Sequence, residues 1–299
     1  MKVSLKSLVY LFCAVSWATS CAIAGEVEKE KVSQKEEATN TLDPIVLTLP
    51  NGTKMEFMPI PAGKFVMGSP KNEAGRNKDE NQVQVNITKA FYMGKTEVTQ
   101  AQYSEMIVRE MLAAADRLEF EKAARLRRQI ALLKKSKNKP VTEVSWFGAT
   151  TFCKRLTAWA HEQGKMRGWK FTLPTEAQWE YACRAGTTTT YHSGDKIRDL
   201  KRVAYYSGTE GANPVAQKEP NAFGLYDMHG NVWEWCLDWY GSRLQGGDNP
   251  TGPKSGSRRV NRGGSWFNGA QRCRSALRDY NSPGFQIFNL GFRVALVRE

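Results

Sequence analysis

Histidine is scarce in this sequence, with three in 299 residues. His161, His192 and His229 include no pair at His-x-x-x-His-x-Glu or two-His-one-carboxylate spacing, which excludes the usual non-haem iron centre. Cysteine is also rare, at six, and two of these, Cys13 and Cys21, fall in an N-terminal leader. The remaining four, Cys153, Cys183, Cys236 and Cys273, allow disulfides in an oxidising compartment without fixing their pairing. Acids are outnumbered, 30 Asp and Glu against 43 Lys and Arg. Outside the cytoplasm a basic surface meets anionic lipid, acidic glycan or acidic protein, and no nucleic-acid partner is expected. Gly and Pro are absent from residues 104–136, a stretch of strong helix formers in which Phe120, Ala123, Arg127, Ile130 and Leu133 recur at helical spacing. It predicts a helix or helical hairpin.

The leader carries Lys2 and Lys6 ahead of an apolar run, Leu8–Trp17, too short to span a bilayer. It predicts a signal peptide over 1–24, cleaved before Gly25, and a periplasmic, secreted or envelope-associated product. Ala18-Thr-Ser-Cys21 also resembles a lipobox, which would place a membrane anchor on Cys21. Residues 25–42 are charged and poor in large apolar groups, so they predict a flexible tether. Residues 43–299 then read as one domain interrupted by the helical segment 104–136.

Ile45–Leu49 with Asn51-Gly52 predicts a strand and hairpin turn. Val83, Val85 and Ile87 alternate as in another strand. Ser145 is a candidate N-cap for a helix carrying Ala149, Phe152 and Leu156 on one face, and Thr175 with Gln178 makes a capping box after Pro174. Beyond Gly186 the sequence predicts mostly loop. Within that region Asp227–Gly241 concentrates Trp233, Trp235, Trp239, three acids, His229 and Cys236. Asp227 and Glu234 offer carboxylates, and Gly230 permits a turn that exposes carbonyls there and near Val232. Calcium accepts such a set, Asp227, Gly230, Val232 and Glu234; a loop tied by carboxylate-to-backbone hydrogen bonds is the alternative. The tryptophans are expected mainly in the core.

Several motifs occur in order: Ile60-Pro-Ala-Gly-Lys-Phe-Val-Met-Gly-Ser69, Glu97-Val-Thr-Gln-Ala-Gln-Tyr103, Pro140-Val-Thr-Glu-Val-Ser-Trp146, Leu173-Pro-Thr-Glu-Ala-Gln-Trp-Glu-Tyr181, Gly224–Trp235, Arg262-Gly-Gly-Ser265 and Asn289-Leu-Gly-Phe-Arg293. Together they resemble the formylglycine-generating enzyme, or sulfatase-modifying factor, family. The resemblance implies an irregular α+β fold related to C-type lectins. It also implies a structural Ca2+ at the four residues above, a Cys183–Cys273 disulfide contributing about 3 to 4 kcal/mol, and a ligand cleft at Trp233, Ser265, Asn268 and Arg278. In the oxidases of the family a pair of thiolates five residues apart binds copper. Here Asn268 stands at the first of those positions, so copper is not expected and no catalytic residue is assigned. Leu118–Ile130 resembles the UVR motif, which implies a docking arm for a protein or peptide partner. The expected function is an exported protein- or ligand-binding module. The alternatives are an oxidase acting on a sulfatase cysteine and an envelope structural protein.

Overall fold

The computed structural model describes residues 42–116, 119–133 and 136–299. The leader, most of the charged tether and Cys21 lie outside them. Its first hairpin follows from local chemistry. β1 (Ile45–Thr48) and β2 (Lys54–Ile60) pair antiparallel, with Thr48 opposite Lys54. Gly52 takes φ +81° in the turn, and Asn51 Oδ1 accepts from Thr53 N at 2.9 Å. In β2, Met55 and Phe57 share one face and Ile60 lies on the other, and all three are buried, so packed residues cover both sides of the strand.

β3 (Gly63–Met67) and β4 (Val83–Ile87) form the next hairpin, followed by β5 (Phe91–Gly94). Helix α1 (Gln100–Asp116) leads into α2 (Phe120–Leu133). This is the helical pair expected near 104–136, but its first helix starts earlier. Tyr103, Met106 and Ile107 of α1 are buried, as are Leu126 and Ile130 of α2. Tyr103 stacks on Phe152 at 5.6 Å and meets the edge of Phe292 at 6.0 Å, joining the arm's root to the core.

Helix α3 (Trp146–Glu162) begins at Ser145, whose hydroxyl accepts from Gly148 N. Its buried residues, including Ala149, Phe152, Leu156 and Trp159, fall on one face. β6 (Trp169–Thr172) precedes α4 (Glu176–Arg184), where Thr175 and Gln178 complete the capping box reciprocally.

As expected, most residues after Gly186 lie outside helices and strands. This region holds α5 (Ile197–Val203) and six short strands: β7 (Trp233–Trp239), β8 (Gly247–Asp248), β9 (Arg259–Arg262), β10 (Arg278–Asn281), β11 (Leu290–Phe292) and β12 (Ala295–Arg298). β7 alternates Trp233, Trp235, Leu237 and Trp239 with Glu234, Cys236 and Asp238, yet both faces are buried for most of its length, because Glu234 and Asp238 find partners inside the fold. The sheets run β1-β2-β5-β12-β6, β10-β9-β7-β11 and β3-β4-β8. The result is an α+β domain with much irregular connection.

Charged groups penetrate the core. Glu180 accepts from Arg184 Nε at 2.9 Å, from Gly68 N at 2.9 Å and from Arg262. Arg262 also donates to the carbonyls of Ala276 and Leu277. Arg274 grips both carboxylate oxygens of Glu80 at 2.7 and 2.8 Å and reaches Glu73 at 2.6 Å, pinning the 70–80 loop to the 3-10 turn Ala270–Cys273. In this irregular region the guanidiniums close backbone and carboxylate hydrogen bonds that regular ladders leave open.

Candidate functional site

Gly263 and Gly264, at φ +96° and +77°, turn the chain sharply after β9. A Cβ on Gly264 would lie 2.7 Å from both the Arg272 carbonyl oxygen and Cys273 Sγ, so glycine is required where these segments cross. The turn delivers Ser265 beneath Asn268. Asn289 Nδ2 donates to Ser265 Oγ at 2.9 Å, and Ser265 Oγ donates to Asn268 Oδ1 at 2.7 Å. Trp233 Nε1 donates to the same oxygen at 2.8 Å. The indole N–H is donor-only, which fixes the orientation of the Asn268 amide.

Three of the expected cleft residues therefore meet, but in layers. Ser265 and Trp233 are buried and position Asn268, which reaches the surface. Around it stand Trp266, Phe267 and Phe288, with ring centroids 5.6 to 5.7 Å apart, and Arg272 lies 5.5 Å over the Trp233 ring. Phe267 is 57% and Phe288 45% exposed.

Arg278 is not part of this surface. It binds Glu176 bidentately at 2.6 and 2.8 Å and donates to the carbonyls of Asp79 and Gly241, and these partners hold its guanidinium in the interior. A sequence position can be carried over from a resemblance, whereas the direction of a side chain depends on the carboxylate it finds.

The Cys183–Cys273 bridge is not formed. All four described cysteines are buried free thiols. Cys183 Sγ faces Met228 O and His229 Nε2, each at 3.8 Å, while Cys273 Sγ turns to Gly269 O at 3.9 Å. His229 accepts the His192 N–H on Nε2 at 3.0 Å, so its Nδ1–H donates to Cys273 O at 2.7 Å. Burial, followed by the neighbouring His192, drives the His229 pKa well below its ordinary value. Burial also pushes the Cys183 and Cys273 thiols up to about 12, which disfavours thiolate. At position 268 a carboxamide is tied to two protein donors, so the donor set here does not suit Cu(I).

The second group lies deeper. Asp227 (φ +58°), Gly230 (φ +77°) and Asn231 (φ +52°) coil the chain, and a Cβ on Gly230 would overlap the carbonyl oxygen of Tyr205. Asp227 Oδ2 accepts from Ala216 N at 2.7 Å, while its Oδ1 is buried without a donor. Both carboxylate oxygens of Glu97 are likewise buried without a partner. Burial, then Asp227, raises the Glu97 pKa well above the usual carboxylate range, and burial lifts Asp227 to about 6. Glu234 is engaged differently: Arg293 Nη2 and Nε bind it at 2.7 and 3.1 Å, and Trp179 Nε1 donates to it at 2.7 Å. Thus Asp227 keeps one buried carboxylate oxygen without a donor, Val232 is buried, and Glu234 is saturated by protein donors. Glu97 opens one of the recognised motifs yet was not read as a site residue, because nothing in the sequence pairs it with Asp227; only the fold brings the two together. Three carboxylates face one guanidinium, and three buried oxygens lack donors, an arrangement that fits a hard divalent cation such as Ca2+. Among the described residues, no three His, Cys, Asp or Glu side chains form a ready-made metal cluster, so such an ion would draw further oxygens from backbone or water.

Comparison with known proteins adds four findings. Residues 46–298 match the family model described as a sulfatase-modifying factor enzyme 1-like domain. The formylglycine-generating enzyme of Mus musculus is 30% identical over 297 residues, covering 81% of this chain and 75% of that protein. A Bos taurus relative, "Inactive C-alpha-formylglycine-generating enzyme 2", is 34% identical over 173 residues, covering 52% of this chain and only 50% of its own length. Among solved structures, Treponema denticola variable protein 1 superposes with TM-score 0.69 at 25% identity, covering 85% of this chain and 99% of that one.

Proposed function

Because this chain belongs to the sulfatase-modifying factor family, we propose that it is a member without the copper oxidase chemistry: an exported module that binds a protein or peptide on the surface around Asn268. The observation that carries the reading is the Asn268 carboxamide, held by Trp233 Nε1 and Ser265 Oγ where the family resemblance places a thiolate. Cys273, the remaining sulfur nearby in sequence, is buried and held as a thiol. Copper-dependent activation of oxygen needs paired soft donors, and an amide beside a single buried thiol supplies none. That a relative is described as inactive is consistent with this reading. A structural Ca2+ at Asp227 and its neighbours belongs to the same proposal, as do export by the leader and a second docking role for the helical arm Gln100–Leu133.

The rival reading, an oxidase acting on a sulfatase cysteine, is favoured by the identity to the mouse enzyme. One experiment separates them. Purified protein is loaded with copper under reducing conditions and incubated with oxygen and a cysteine-containing sulfatase peptide. No aldehyde product and no oxygen uptake above the buffer rate are expected. Catalytic turnover would overturn the proposal.

A further inference from the structure

Asn268 sits in a bonding arrangement with a chemical polarity. An amide oxygen has two lone-pair directions, and here Trp233 Nε1 and Ser265 Oγ take both. The amide nitrogen must then point the other way, and among the described residues nothing accepts from it. At the surface Asn268 is therefore a pure donor. The nearest charge has the same preference: Arg272 stacks over the Trp233 ring. Its pairing with Asp279, at 2.6 Å, joins two partly exposed side chains, so solvent screens it. The segments Ser265–Gln271 and Ser282–Phe288 contain no acid; the neighbouring acids are Asp279, held by Arg272, and the exposed Glu210, two residues beyond the Ser207 and Gly208 N–H groups that bond Asn268 O and Trp266 O. Beside these donors lies an apolar floor: Phe267 and Phe288 meet edge to face at 5.7 Å and 88°. Both also pack on Trp266, whose own Nε1 is buried without a partner. Exposed phenylalanines grouped around a buried indole mark a contact surface rather than scattered surface carbon.

From this geometry we infer that the Asn268 surface recognises a peptide segment in which an aromatic side chain is next to a carboxylate. The inference rests on the binding-module reading and names the class of its ligand. The aromatic ring seats against Phe267 and Phe288, and the carboxylate accepts from Asn268 Nδ2 with Arg272 supplying positive potential. A cationic neighbour in place of the carboxylate would meet the Asn268 donor and the Arg272 charge, with Asp279 already engaged by Arg272.

The test uses the full chain and a fluorescein-labelled Gly-Phe-Asp-Gly amide, with otherwise identical peptides carrying Asn or Lys in place of Asp, read by fluorescence anisotropy. The Asp peptide is expected to bind on the order of tenfold more tightly than the Asn peptide, the ratio a single charge-assisted hydrogen bond supplies, and the Lys peptide more weakly than either. Asn268→Asp keeps the oxygen that Trp233 and Ser265 bond and replaces the outward donor with an acceptor, so the order of the Asp and Lys peptides should reverse. If that variant fails to fold, Arg272→Gln serves: it should weaken the Asp peptide several-fold and leave the Asn peptide unchanged. Phe267→Ala should weaken all three. Equal affinity for the three peptides would overturn the inference and leave the binding-module reading standing, whereas failure of every peptide to bind would count against both.

Discussion

Glu180→Gln tests whether the buried guanidinium network holds this irregular domain together. Burial alone would raise the pKa of Glu180, yet the Arg184 and Arg262 guanidiniums hold it below the usual carboxylate range, so the carboxylate is ionised in the fold. Substitution by the neutral amide leaves two guanidiniums facing one acceptor, and places N–H donors opposite N–H donors. Arg262 is wholly buried and Arg184 nearly so, and neither can turn to water. Removing one partner of a buried ion pair costs about 3 to 5 kcal/mol, a large part of the roughly 5 to 15 kcal/mol that keeps a domain folded. For a domain of this size such a loss lowers Tm by roughly 6 to 20 °C. Differential scanning calorimetry at neutral pH with a parallel urea titration measures it. A loss under about 1 kcal/mol would refute the reasoning, since it would mean that Arg184 and Arg262 find other acceptors or that water enters the network.

Three further outcomes are expected. Calcium should raise Tm relative to an EGTA-treated sample, approaching about 2.7 kcal/mol of stabilisation at a hundredfold excess over Kd; Glu97→Gln or Asp227→Asn should abolish the shift, and identical melting in calcium and chelator would refute the site. Burial, then the Glu176 charge, raises the Asp238 pKa to about 8. The folded state thus holds a proton that the unfolded chain releases near pH 4, so this group's stabilisation is complete below that pH and is lost as pH rises towards 8. Asp238→Asn should flatten that decline in urea-unfolding free energy, and an unchanged pH profile would show that Asp238 does not carry it. Gly230→Ala forces a Cβ onto the Tyr205 carbonyl oxygen at φ +77°, so it should cost upwards of about 2 kcal/mol; wild-type melting would contradict the described crossing of these segments.

Local signals were legible in the sequence where the physics is local. Ser145 and Thr175 cap their helices because a hydroxyl placed before a helical run has backbone N–H groups within reach. Asn51-Gly52 makes its hairpin turn for the same kind of reason. β7 escaped although Trp233, Trp235, Leu237 and Trp239 alternate with Glu234, Cys236 and Asp238: its acids read as ligands of a loop, and that Arg293, Trp179 and the Glu176 N–H bury them depends on other elements. The site divided along similar lines. Asn268 and its neighbours were found from the order of motifs, but that Trp233 and Ser265 lie behind it depends on hydrogen bonds between segments far apart in the chain. Arg278 was misplaced and Glu97 overlooked for one reason: the partners that define them, Glu176 and Asp227, are supplied by other elements.

The position of β12 in its sheet bears on how the chain acquires its shape. Ala295–Arg298 lies between β5 and β6, bonding to both. Until this strand is in place, β1-β2-β5 and β6 are separate pieces with raw edges, and the contacts that close the sheet join points widely separated in sequence, the slow kind to assemble.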